Sequence, residues 1–304
     1  QESMVGSSIY KLLKKKNFSI INCKRKDLDF TNQNLVNKWF QKHKPEIVIN
    51  AAGRVGGILD NKSFQPDYIY INSMIGLNII NSSLKFNVKK LINLGSACIY
   101  PKKTLQPIKE NALLSSKLEE TNEGYALAKI ISLKYCQHLR KKEKKNFISL
   151  MPANLYGEGD NFDLKSSHVL PALVKKFIIA KKKNLPSVEV WGSGNVKREF
   201  LNVKDLSNAI YFIIKKKINY DFINVGGGEH YSIKKIAFLI KDITKYQGKI
   251  VFNKQYPDGV KRRQLDSTII KKLGWKPKIN LKNGLKKYCE YYTKEIYPAE
   301  KFIL

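Results

Sequence analysis

Leu91-Ile92-Asn93-Leu94-Gly95-Ser96 decides the fold: a near-continuous apolar run closed by two small residues. Such a run reads as a strand buried on both faces in a parallel sheet, and the Gly-Ser pair marks its carboxyl end. Working outward, the same pattern recurs. Ser19-Ile20-Ile21-Asn22 and Glu46-Ile47-Val48-Ile49-Asn50 lie upstream, the second followed by Ala51-Ala52-Gly53, and Phe147-Ile148-Ser149-Leu150-Met151 lies downstream. Helical periodicity fills the intervals, over Asn72 to Phe86 and Ala126 to Lys142. Strand–helix alternation predicts an α/β fold with a doubly wound parallel sheet. Ligands of such sheets bind beyond the carboxyl ends of the strands, where Gly95-Ser96 and Ala51-Ala52-Gly53 both fall. After about residue 160 turns multiply, at Trp191-Gly192-Ser193-Gly194, Gly226-Gly227-Gly228 and Pro257-Asp258-Gly259, which predicts a smaller second lobe.

At the start, Ser3-Met4-Val5-Gly6-Ser7 reads as the second half of a dinucleotide-binding turn that opens a helix, with Ser3 where a glycine is usual. The strand that should precede it is absent. The expectation is that about one strand plus a turn, roughly ten residues, is missing ahead of Gln1, or that another segment replaces that strand.

The net charge is +31, yet only six of the 56 basic residues are Arg. The lysines fall in short runs such as Lys14-Lys15-Lys16, Lys181-Lys182-Lys183 and Lys215-Lys216-Lys217, near the ends of periodic segments, where cations suit helix C-termini and solvent. No aromatic-interleaved basic motif points to nucleic acid as the main partner, and the positive field suits collection of polyanionic nucleotides. Four scattered cysteines, Cys23, Cys98, Cys136 and Cys289, argue against a disulfide framework or a metal site and for a reducing, cytoplasmic setting. No apolar stretch is long enough to predict a membrane helix.

Tyr125-Ala126-Leu127-Ala128-Lys129 on a helix, with Ser96 past a preceding strand, carries chemistry. Positions four apart share a helix face. An ammonium beside a phenol lowers its pKa, so Tyr125 is expected to pass a proton to a carbonyl oxygen near neutral pH while Ser96 hydrogen-bonds the same oxygen. The spacing alone also suits a surface helix pair; Ser96 raises the enzyme reading. The second predicted strand ends Asn22-Cys23-Lys24-Arg25-Lys26, without the acidic residue that holds NAD ribose hydroxyls; Asp27 and Asp29 follow too late for that. NADPH is therefore the preferred cofactor, with Arg25 the clamp for its 2′-phosphate.

The chain resembles the GDP-L-fucose synthase family, epimerase/reductases of GDP-4-keto-6-deoxy-D-mannose within the extended short-chain dehydrogenase/reductases. The likeness runs in order over nearly the whole chain, through Ala52-Gly53-Arg54-Val55-Gly56-Gly57-Ile58, Gly95-Ser96-Ala97-Cys98-Ile99-Tyr100-Pro101, Asn122-Glu123-Gly124-Tyr125, Met151-Pro152-Ala153-Asn154-Leu155-Tyr156-Gly157, Asp160-Asn161-Phe162, Ser167-His168-Val169-Leu170-Pro171, Val190-Trp191-Gly192-Ser193-Gly194, Arg198-Glu199-Phe200-Leu201 and Leu273-Gly274-Trp275. The resemblance implies a Rossmann-type sheet with a smaller C-terminal α/β substrate lobe. It implies residues 1–160 as the NADP-binding unit, with segments around 195–225 returning to it, and 161–304 mainly as the sugar-nucleotide lobe.

Ser96, Tyr125 and Lys129 would form the reduction triad. Cys98 and His168 would exchange protons at the two carbons flanking the ketone, which its oxygen acidifies. The implied cofactor set is Ser3, Met4, Val5, Gly6, Arg25, Asp29, Leu94, Gly95, Ser96, Lys129, Pro152, Asn154, Leu155 and His168. The implied GDP-sugar set is Lys176, Trp191, Arg198, Asp258 and Arg263, with Lys176 where the family commonly has Arg. A cytoplasmic homodimer through helices of the sheet domain is implied too. Two alternatives stay open: a related GDP-sugar enzyme, for example one of GDP-L-colitose synthesis, and a degenerate nucleotide-binding homologue without activity.

Overall fold

A computed structural model of the chain describes residues 3–23, 27–256 and 258–300. In chain order the first half runs α1 (Met4–Lys15), α2 (Gln33–His43), β1 (Ile47–Asn50), α3 (Ile58–Ser63), α4 (Gln65–Lys85), β2 (Lys90–Leu94), α5 (Glu123–Glu143) and β3 (Phe147–Pro152). The second half runs β4 (Asn154–Tyr156), α6 (Val169–Lys182), β5 (Ser187–Trp191), β6 (Lys197–Asn202), α7 (Val203–Lys215), β7 (Phe222–Val225), β8 (His230–Ser232), α8 (Ile233–Thr244), β9 (Lys249–Asn253), β10 (Arg262–Arg263), α9 (Thr268–Lys272) and α10 (Leu281–Tyr291).

The main sheet is parallel, in the order β1-β2-β3-β7. Its central strands β2 and β3 are buried on both faces, and the two-residue side-chain period sorts them. Leu91 and Phe147 face α2, α4 and α5 through Val36, Phe40, Ile75, Ile80 and Cys136. Ile92, Leu94, Ile148 and Leu150 face the opposite side, where Ile9 and Leu13 of α1 meet Leu206, Ile210 and Ile213 of α7. Lys90 fixes the end of α7: its buried ammonium donates to the carbonyls of Ile213, Ile214 and Lys216, each at 2.9 Å. Those carbonyls lie at the C-terminus of the helix, where acceptors outnumber backbone donors.

Three of the four expected strands form within a residue of their expected bounds; Ser19–Asn22 does not. β-propensity yields a strand only where the backbone finds a ladder partner. Among the described residues this segment joins none of the sheets. Phe18 and Ile20 instead pack on the sheet's core, Phe18 edge-on to Tyr211 at 6.2 Å.

The second half has its own core. Leu170, Val174 and Phe177 of α6, Ile236 and Ile240 of α8, and Leu285 and Tyr288 of α10 enclose the short strands β5 and β6. β5 pairs with β9, and β4, β6 and β10 form a second sheet, with β8 also on β6. Among the described residues no helix is long and apolar enough to cross a membrane.

Candidate active site

Each reduction residue is held by the main sheet or the helix beside it. β2 ends at Leu94, and Gly95 lets the chain pass β3: a Cβ there would come within 2.3 Å of the Met151 sulfur. Ser96 then caps a short 3₁₀ turn, Ala97–Ile99, its hydroxyl accepting from the Cys98 N–H at 3.2 Å. Helix α5 brings Tyr125 to Ser96, to which it is hydrogen-bonded. One turn later the buried Lys129 donates to the Leu94 carbonyl at 3.0 Å and stands 5.7 Å from the Tyr125 ring centroid.

The electrostatics correct one expectation. Burial, with Cys98 adding to it, pushes the Tyr125 phenol up rather than down, and the Ser96 hydrogen bond only partly opposes this. Lys129 does not offset the rise, because its ammonium is spent on the Leu94 carbonyl and burial holds it down to about 8.

Cys98 lies in the same cleft, half-buried, its sulfur accepting from Asn122 Nδ2 at 3.3 Å and interacting electrostatically with Tyr125 and Arg198. Tyr68 of α4 closes one wall. It meets the Tyr125 ring edge-on at 6.1 Å and hydrogen-bonds Asp60. His168 stands in the second half, at the N-cap of α6 but making no capping hydrogen bond. Solvent reaches it, while the surrounding protein still strips hydration from the ring and lowers its pKa. Its loop docks on the first half through Gly57, whose N–H donates to the Ser166 carbonyl at 2.8 Å. A Cβ on Gly57 would sit 2.5 Å from the Ser167 carbonyl, so only glycine permits this approach.

The expected sugar-nucleotide residues form two groups. Arg198 is bonded to the carbonyls of Val260 (2.6 Å) and Asp258 (3.3 Å). Burial, and then neighbouring Arg263, bring its pKa to about 10. Arg263 is buried and donates to the Ala97 carbonyl at 2.8 Å, beside Cys98. Asp258 accepts from the N–H and hydroxyl of Ser193, at 2.8 and 2.7 Å. In the second group the Lys176 ammonium lies 4.9 Å from the Trp191 ring centroid, and Trp191 stacks on Tyr256 at 4.2 Å, nearly parallel. Glu189 accepts from the Trp191 indole N–H at 3.0 Å, and its carbonyl takes the Lys176 ammonium.

Sequence reading missed Asn122, Tyr68, Glu189 and Tyr256. Asn122 lay inside a quoted motif and Tyr256 beside another, but a side chain's partner has no signature in sequence order.

The strand ends suit a dinucleotide. The first turn of α1 carries no carboxylate and starts at Ser3, whose hydroxyl accepts from the Gly6 N–H at 3.2 Å, so an anion is welcome there. The backbone at Gly159 crosses that turn, a Cβ there lying 3.3 Å from the Met4 Cα, and Val5 packs on the sheet's core. Leu94, Gly95, Pro152, Asn154 and Leu155 line the adjacent strand ends, with Asn154 Nδ2 donating to the Glu199 carbonyl at 3.0 Å. Asp29 is exposed and accepts from the Thr31 N–H and hydroxyl in a turn. Arg25 lies outside the described residues. Among those residues no group of three or more His, Cys, Asp or Glu could hold a metal ion.

Comparison with known proteins agrees with this architecture. Residues 2–226 match the NAD dependent epimerase/dehydratase family. The GDP-L-fucose synthase of Sinorhizobium fredii is 44% identical over 295 residues, 97% of this chain and 94% of that protein. The GDP-L-colitose synthase of Yersinia pseudotuberculosis is 36% identical over 294 residues, 96% of each. Among solved structures, a GDP-mannoheptose C4 reductase from Campylobacter jejuni with NADP bound superposes with a TM-score of 0.88 at 34% identity, covering 96% of both chains. The chain belongs to the NAD dependent epimerase/dehydratase family and, within it, to the GDP-L-fucose synthase group.

Proposed function

We propose that the chain epimerises GDP-4-keto-6-deoxy-D-mannose at the two carbons beside its ketone and reduces the ketone, giving GDP-L-fucose with NADPH. The observation that carries this reading is the convergence of a thiol, Cys98, on the cleft of the Ser96–Tyr125 pair. A reductase alone needs the pair; proton exchange at a neighbouring carbon needs a further acid–base group.

Ser96 and Tyr125 donate to the ketone oxygen, which also stabilises the enolate formed when an adjacent proton leaves. Cys98 and His168 remove and return protons on opposite faces. His168 is suited to that as a base because its lowered pKa keeps the imidazole neutral at pH 7. Tyr125 gives the final proton to the oxygen; its raised pKa keeps it protonated until then. NADPH, when bound, supplies the hydride; Ser3 to Gly6 at the head of α1 hold its phosphates and Lys129, Pro152, Asn154 and Leu155 its nicotinamide end. Arg198 and Arg263 face the substrate pyrophosphate, and Trp191 with Lys176 its nucleoside.

The chain divides into a cofactor unit over 1–160 joined by segments around 195–225, and a sugar-nucleotide lobe mainly over 161–304. The enzyme is cytoplasmic and homodimeric, a state supported by exposed Tyr70 of α4 and Ile131 of α5.

Incubation with NADPH and the keto-sugar nucleotide tests the reading. NADPH is consumed and solvent deuterium enters both flanking carbons; absence of both defeats it. The colitose synthase likeness favours a second substrate, a 3,6-dideoxy keto sugar, and a substrate panel ranks the two by kcat/KM.

A further inference from the structure

We infer that Asn122 is a positioning residue for Cys98, its amide N–H aiming and stabilising the sulfur that takes a proton from a carbon beside the ketone. This deepens the epimerase/reductase reading above and rests on it.

Asn122 is the N-cap residue of α5, a place where an Asn side chain normally accepts from the first-turn N–H groups of its own helix. Here it makes no capping hydrogen bond. The work passes to Gln65 of α4, whose Oε1 accepts from the Gly124 N–H at 2.9 Å and whose Nε2 donates to the Glu120 carbonyl at 2.7 Å. The Asn122 amide turns instead to Cys98, donating to its sulfur at 3.3 Å, and its Oδ1 is buried with no hydrogen-bond partner. An orphaned buried acceptor is destabilising, and a surrendered cap is a second loss. Fold stability alone does not select this arrangement; an N–H aimed at a reacting sulfur does.

The charged and titratable groups around Cys98 set its context. Tyr125 faces it from α5 and Arg198 from β6, with Glu119 and Arg263 acting on Arg198 in turn. Arg263 of β10 also donates to the Ala97 carbonyl, one residue away. In the proton transfer the C–H bond breaks, an S–H bond forms, and the electron pair moves onto the ketone oxygen, where Ser96 and Tyr125 donate. Asn122 favours the sulfur before this transfer and supplies no proton.

The test is alkylation of Cys98 by iodoacetamide as a function of pH, followed by peptide mass on the full chain in a Cys23→Ser background. Asn122→Asp keeps the size, removes the donor and adds a carboxylate. It is expected to slow alkylation at pH 7 roughly tenfold and to displace the profile to higher pH. Asn122→Ala shows a smaller loss in the same direction and answers the question if the Asp variant does not fold. Solvent-deuterium entry at one carbon falls in parallel, while NADPH affinity, read by its fluorescence, stays unchanged. Alkylation profiles of both variants that overlay the parent's overturn the inference. A parent that exchanges no deuterium and consumes no NADPH defeats the functional reading instead, and the alkylation profile still decides the role of Asn122.

Discussion

The two sides of the cleft are built differently. Ser96, Tyr125 and Lys129 sit at the end of β2 and on the long helix α5, with Lys129 tied to a strand carbonyl and Tyr125 tied to Ser96. His168, Lys176, Trp191, Arg198 and Asp258 stand on loops, strand ends and the second-half helix α6, held largely by side chains and loop carbonyls. Groups that must meet a reacting carbonyl in fixed geometry are borne by the rigid sheet. The groups proposed to recognise the rest of the substrate, with the proposed base His168 beside them, are borne by surfaces whose contacts can vary without disturbing it.

Removing the Tyr125 hydroxyl breaks that comparison most sharply. Tyr125→Phe keeps the ring against Tyr68 and leaves the fold intact. It is expected to lower the reduction rate by about 10²- to 10⁴-fold, the usual contribution of general acid catalysis. Deuterium entry at the carbon served by His168 persists, at a lower rate because one donor to the enolate oxygen remains. Stopped-flow NADPH oxidation beside deuterium exchange separates the two; equal loss of both would mean the sides do not divide the chemistry.

On the recognition side a smaller effect is expected. Arg198→Met removes a charge-assisted contact worth about 2 kcal/mol, roughly thirtyfold in KM, with kcat within a few-fold of the parent. A fall confined to kcat would place Arg198 with the reacting groups instead.

How much of this was legible in the sequence follows the same division. The β2 run and its Gly95-Ser96 end, and the α5 spacing of Tyr125 and Lys129, were legible because strand and helix periods are local. Ser19–Asn22 was misread because its pattern is that of a strand while, among the described residues, it joins no sheet, which no local pattern shows. The sign of the Tyr125 shift was misread because burial is a tertiary quantity. Tyr256 on Trp191 and Asn122 on Cys98 were missed for a like reason: each pair spans more than twenty residues of chain, and neither residue type announces its contact.

The smallest expected effect sharpens the comparison on the loop that leads to His168. Its anchor is Asp160, whose carboxylate accepts from the Tyr288 hydroxyl of α10 at 2.7 Å, while Phe162 beside it packs among Tyr288, Tyr291 and Tyr292. Burial raises the Asp160 pKa to about 6, with the Tyr288 hydrogen bond opposing. The folded chain then binds this proton more tightly than the unfolded chain, so its contribution to stability is full below about pH 4 and is lost as pH rises through about 6. Asp160→Asn keeps an acceptor for Tyr288 and removes the buried charge. At pH 7 it is expected to be more stable than the parent by about 1–2 kcal/mol, a few degrees in Tm, with the advantage vanishing near pH 4. Thermal melts of the two proteins across that range check it. A constant difference at every pH would show that the carboxylate is well solvated, and that the recognition side carries its charges at no more cost than an ordinary surface.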